Sequence, residues 1–234
     1  MDEQPTHPHG TPNAPRVAVR GEAHLEVDPE IARIGITVSA RGTDRRDTLN
    51  DLTRRNTAVL DLVKSYGDAV ERVETGALSI TPELTEHGRR ERIRAYHGRV
   101  HTTAELTDFT ALGELTTRLA DLDLTSVSGP WWTLRPDSPA YRESRRTAVH
   151  EAVQRAREYA EALGAGLVAL VELSDTGLTG PAPRTTRGLS PQMARHGAME
   201  DYAAETVDAV DLEPVRQIVT AQVEAHFIMT PPQL

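Results

Sequence analysis

The sequence predicts an α+β fold, in which a mixed or antiparallel sheet carries three helices. Two observations predict it. Two alternating apolar runs stand back to back between Val17 and Ala40, broken only at Asp28-Pro29. Period two with one polar face is the mark of a half-buried strand. A segment with apolar residues at helical spacing then follows at once, and the two periods keep alternating down the chain.

The first strand turns Val17, Val19, Ala23, Leu25 and Val27 to one face and Arg20, Glu22, His24 and Glu26 to the other. After the Asp28-Pro29 turn, a second strand places Ala32, Ile34, Ile36, Val38 and Ala40 inward. Together the two runs read as a hairpin. Gly42-Thr43-Asp44 ends the strand and caps a helix reaching about Tyr66, with Leu49, Leu52, Val59, Leu60 and Val63 as its stripe and Gly67 as its stop. A third strand runs from Val73 to Pro82. A charged loop around His87-Gly88-Arg89-Arg90 leads to a fourth strand, Ile93 to Leu106. A second helix starts at Asp108 with Phe109, Leu112, Leu115 and Leu119 as its stripe, and a fifth strand covers Ser126 to Arg135. The second through fifth strands therefore give a β-α-β-β-α-β core, the split βαβ or ferredoxin-like order, preceded by an additional N-terminal strand.

A third long helix begins at Ser138-Pro139, where proline suits the first turn, and ends at Gly164. Its stripe of Ala148, Ala152, Ala156, Tyr159, Ala160 and Leu163 is mostly small, which lets a helix sit close to its neighbour. Two C-terminal strands complete the pattern. Leu167 to Leu173 is apolar on both faces, as expected of a central strand covered on both sides. Val215 to Phe227 alternates and is stopped by Pro231-Pro232. Residues 1–15 read as a disordered tail, 16–230 as a single domain, and about 175–211 as a flexible insertion rich in Gly and Pro.

Composition narrows the function classes. Hydrophobic residues make up 38% of 234, enough for a core, and the net charge of −9 argues against nucleic-acid or anionic-membrane partners. There is no cysteine, which removes disulfides, thiol nucleophiles and Fe–S clusters. No apolar run approaches the roughly 18 residues of a membrane-spanning helix, and Met1 to Gly10 has neither a basic region nor an apolar one, so no membrane insertion and a cytoplasmic location are expected.

The order of elements and certain local words resemble the SIMPL-domain family. The words are Val17-Ala18-Val19-Arg20-Gly21-Glu22-Ala23, then Val27-Asp28-Pro29-Glu30, Glu74-Thr75 with Leu78 and Pro82, and Arg155-Ala156 with Tyr159-Ala160 and Leu163-Gly164. The family includes bacterial periplasmic immunogenic proteins and a eukaryotic protein that binds an interleukin-receptor-associated kinase. The resemblance implies an α+β domain of poorly defined role, linked in bacteria to the envelope or to oxidative stress, with some members assembling into rings. It implies no catalytic residues. With no leader expected at Met1 to Gly10, a role apart from that of exported members is expected.

Candidate sites are few. Trp131 and Trp132 are adjacent on a strand, so they point to opposite faces. Either one indole makes a subunit or ligand contact, or both are covered by helices. His97 and His101 are four apart, a metal-chelating spacing on a helix but about 13 Å on a strand. His7-Pro8-His9 lies in the tail. Arg89, Arg90, Arg92, Arg94 and Arg99 form a basic hairpin tip with Tyr96 as the one nearby aromatic, which reads as a charge-guarded edge rather than a nucleic-acid surface. No serine sits in a Gly-x-Ser-x-Gly elbow and no phosphate-binding glycine loop occurs. The expectation is a non-enzymatic, self-associating interaction or scaffold protein with no cofactor and no metal. The alternative is a small-molecule-binding protein or hydrolase built from scattered polar residues, with His24, His226 and Glu224 as its first candidates.

Overall fold

The computed structural model describes residues 10–84, 92–175 and 210–233. In chain order the elements are β1 (Gly10–Thr11), β2 (Ala14–Val27), β3 (Ile31–Gly42), α1 (Arg45–Lys64), β4 (Val70–Leu84), β5 (Ile93–Leu106), α2 (Phe109–Ala120), β6 (Thr125–Thr133), α3 (Pro139–Ala162), β7 (Leu167–Asp175) and β8 (Gln217–Met229). The mixed α+β class and the β-α-β-β-α-β core read from the sequence are both present. The chain divides into two compact units: described residues of 28–135 and 210–217 form one, and those of 10–27, 136–175 and 218–233 form the other.

The first unit is the split βαβ arrangement. Its sheet runs β4-β5-β3-β6, with β4–β5, β5–β3 and β3–β6 all antiparallel. The helices between the strands start where aspartates stand. The Asp44 carboxylate accepts from the amides of Arg46 and Asp47 at 2.7 and 3.0 Å, and Asp108 does the same for Thr110 and Ala111 at 2.9 and 3.1 Å. One sheet face, carrying Ala32, Ile34, Ile36, Val38, Val100, Ala104 and Leu106, packs on Leu52, Val59 and Val63 of α1 and Leu112, Leu115 and Leu119 of α2. Leu49, expected in the α1 stripe, is exposed. The buried position in that turn is Thr48, whose hydroxyl donates to the Asp44 carbonyl at 2.6 Å. Among the described residues no helix of this unit lies on the opposite sheet face.

The second unit is a sheet in the order β1-β2-β8-β7, covered by α3. Its core is Val19, Ala23, Val223, Ala225 and Phe227 against Ala148, Ala152 and Ala156. Alanine alone does not explain how close the helix comes. A β-carbon on Gly21 would lie 2.0 Å from the Ala148 carbonyl oxygen and 2.6 Å from the Ala152 amide nitrogen, so helix backbone rests on strand backbone. Tyr159 and Leu163, expected in the stripe, are exposed.

Four expectations are corrected. The first two long strands are not a hairpin: β2 lies beside β1 and β8, while β3 lies between β5 and β6. Period two shows that a strand buries one face, but not which sheet it joins. The single sheet is accordingly two. The strand apolar on both faces is not central: β7 is an edge strand. The stretch read as a tail also carries strand at its end, where Gly10 and Thr11 pair with Pro15 and Ala14. The rest of that tail (1–9), the loop tip with His87, Arg89 and Arg90, and residues 176–209 of the insertion lie outside the described residues.

Candidate interaction surfaces

Sheet width creates the first surface. Four strands at about 4.8 Å spacing outspan one helix of about 10 Å diameter. Helix α3 lies across β2 and β8, and of β7 only Leu167 joins its core among the described residues. Leu170 and Leu173 pair with Phe227 and Ala225, the inward residues of β8, so they continue the core face past the helix and stay about half exposed. Val168 and Val171 are extra residues at two register shifts against β8. All four are open: Val168 62%, Leu170 54%, Val171 45% and Leu173 45%. Between α3 and this strand lies a groove of about 590 Å³ lined by Arg145, Val149, Leu173, Asp175, Ala221 and Val223. On the other face of β7 Glu172 pairs with His226, its carboxylate 3.7 Å from His226 Nδ1.

The helix-free face of the β4-β5-β3-β6 sheet is the second surface. It carries Arg33, Gly35, Thr37, Ser39 and Arg41 of β3, paired with Glu105, Thr103, His101, Arg99 and His97 of β5. The register of β6 puts Trp131 opposite Arg33 and Trp132 opposite Ala32. The two tryptophans therefore have different surroundings. Trp132 packs into the helix-side core, edge-on to Phe109, while Trp131 stands on the open face, 53% exposed.

At one end of this face Glu83 gathers two arginines and a histidine. His97 Nε2 is 2.6 Å from its carboxylate, Arg41 2.7 Å and Arg94 3.5 Å. The hydrogen bond from His97, then that from Arg41, holds the carboxyl below the usual carboxylate range. His101 bonds Thr37 at 3.2 Å instead, so the two histidines serve different partners. Among the described residues no group of three or more His, Asp or Glu could hold a metal ion. Asp51 is likewise held low by hydrogen bonds from Arg55 and Arg54. Burial raises the Tyr66 phenol above its ordinary value.

The scattered polar candidates come together only in part. Strands β2 and β8 are neighbours, yet Arg20 meets Glu224 at 3.0 Å and Arg16 meets His226 at 3.2 Å. His24 lies four residues past Arg20, roughly 13 Å along the strand and away from His226. Glu224 and His226 line a shallow cavity of about 500 Å³ with Arg20, Glu22 and Arg155, where Glu224 is tied to Arg20 and no serine or threonine stands among the described lining residues.

Two features escaped the sequence reading. The bare inner face of β7 was legible only by counting helices, since one helix cannot roof four strands. The importance of Gly35 was signalled by a lone glycine between Ile34 and Ile36 inside a strand, the pattern of a close approach.

The family model SIMPL, described as a protein of unknown function (DUF541), matches residues 17–227. Two curated relatives are 26 kDa periplasmic immunogenic proteins, from Brucella melitensis biotype 1 and Brucella abortus. Each is 25% identical over 167 residues, covering 68% of this chain and 66% of the relative. The chain thus spans just under two thirds of the length of those relatives. A crystal structure of a proposed amidohydrolase/peptidase from Burkholderia cenocepacia is 17% identical, covers 57% of this chain and 33% of that one, and has a TM-score of 0.27. So slight a likeness carries no argument. The names of the two relatives point to the periplasm and overturn the cytoplasmic expectation. A leader is cleaved and takes no part in the fold, and a cysteine-free chain suits either compartment. No helix among the described residues is long and apolar enough to cross a membrane.

Proposed function

The chain belongs to the SIMPL family, and from that premise we propose that it is a non-enzymatic periplasmic protein that associates with copies of itself through β7. The relatives' names support the compartment. The carrying observation is the apolar edge strand, open on both faces, whose Leu170 and Leu173 extend a core face beyond α3. Exposed apolar patches of this kind mark contact surfaces. A second copy is the occupant this patch suits, because a two-fold contact sets a patch against itself. An antiparallel pairing centred on Val171 would oppose Glu172 to Leu170 and Asp175 to Leu167, with no like charges facing.

The polar cluster of β2 and β8 supports binding over catalysis. Glu224 is engaged by Arg20, and His226 stands between Arg16 and Glu172, so neither is set as a free base beside a nucleophile.

Sedimentation equilibrium of wild type and the Leu170→Glu/Leu173→Glu double variant tests the reading. Wild type is expected to run as an oligomer at high micromolar concentration and the variant as a monomer with an unchanged circular dichroism spectrum. A wild type that stays monomeric would refute it.

A further inference from the structure

The open face around Trp131 is more than one exposed ring. A β-carbon on Gly35 would lie 2.8 Å from Ser128 Oγ, 3.0 Å from His101 Cε1 and 3.5 Å from Trp131 Cη2. Three side chains from β5 and β6 therefore converge over the glycine, where a methyl group would have to displace Ser128 Oγ and press on the His101 ring while meeting Trp131 in ordinary contact. The ring is seated at its Cη2 edge and still more than half exposed. Ser128 Oγ donates to the Gly35 carbonyl at 3.1 Å, which fixes that corner.

The polar groups beside the ring are arranged and electrically balanced. Arg33, opposite Trp131 in register, donates from Nε and Nη2 to one oxygen of Glu105 at 3.0 and 2.6 Å, so the pair is neutral as a unit. His101 spends Nδ1 on Thr37 and keeps Nε2 for another partner. The indole Nε1 has no hydrogen-bond partner among the described residues. Arg99 lies two residues along β5 from His101, roughly 7 Å away.

We propose that this face is a binding platform for a neutral saccharide, one sugar ring stacking its apolar C–H face on Trp131 while its hydroxyls reach Glu105, Arg33 and His101 Nε2. An anion would want an open cation here, and Arg33 is already neutralised. An acyl chain would want an apolar channel, and the flanking side chains are polar. An aromatic body with a few convergent polar groups at its edge suits a ring that is apolar on one face and hydroxylated around its rim. The surface is shallow, so affinity is expected in the millimolar range. The inference is independent of β7 and stands whether or not copies associate.

The two tryptophans provide the probe and its control. In ¹H–¹⁵N spectra each gives one indole N–H signal. Titration with maltotriose, cellotriose and triacetylchitotriose is expected to move the Trp131 signal saturably with at least one of them and leave Trp132 in place. Trp131→Ala, an exposed position, is expected to keep the melting temperature and abolish the remaining shifts on β3 and β5. Gly35→Ala is expected to weaken binding at least tenfold. No saturable shift with any of the three sugars, or equal shifts in Trp131→Ala, would overturn the proposal. A Trp131 signal that moves only on dilution would also overturn it, assigning the face to a protein contact.

Discussion

Phe109 meets Trp132 edge-on, with ring centroids 4.8 Å apart and planes at 78°. This is the geometry in which the positive edge of one ring faces the negative face of the other. It ties the first turn of α2 to β6, while Trp131, one residue earlier, touches none of that core.

Trp132→Ala should therefore destabilise the protein by about 3 kcal/mol, from lost burial plus the cavity left behind. Trp131→Ala should stay within about 0.5 kcal/mol. Urea unfolding of the two variants followed by circular dichroism checks the contrast. Equal losses would mean that the assignment of faces is wrong.

Gly21→Ala should be far more damaging than its size suggests. The new methyl group would fall on the Ala148 carbonyl and the Ala152 amide, backbone atoms that cannot move aside without lifting α3. A loss above about 4 kcal/mol is expected. Gly166→Ala, where a β-carbon meets nothing within 4 Å, is the control and should shift stability by less than about 0.5 kcal/mol. Thermal melts of both variants decide it.

The acid limb of stability should depend on Glu83. Its carboxyl is held below the usual range by His97 and Arg41, so its contribution is fully present above the ordinary carboxylate pKa. That contribution disappears as pH falls through the lowered value, because the protonated carboxyl no longer holds its partners as strongly. Melting temperatures between about pH 7 and about pH 3 should show a smaller acid-side drop for Glu83→Gln than for wild type. Parallel curves would remove the ion cluster from the account. The carboxylate is exposed, so the effect is small.

Much of this architecture was legible because periodicity reports local burial. Asp44 and Asp108 announced the starts of α1 and α2, and the strand expected from Ile93 to Leu106 is β5 with those same bounds. Sheet membership was not legible. Alternation in β2 and β3 says that each hides one face, and nothing in Asp28-Pro29 says that the chain changes sheets there. The same limit misplaced Leu167–Leu173. A strand apolar on both faces has the same letters whether its cover is a helix of its own chain or another molecule. For the tryptophans, adjacency predicted opposite faces, but which indole is buried depends on the register of β6 against β3, shifted between Arg33 and Gly35.

Hydrogen–deuterium exchange across β7 at rising protein concentration tests the central claim most directly. An edge strand left bare in the monomer exchanges its outward amides quickly. If a second copy covers it, protection of peptides spanning Val168 to Ser174 should rise with concentration, while α1 and α2 peptides stay constant. Protection that is unchanged from low to high micromolar concentration would contradict self-association through this strand.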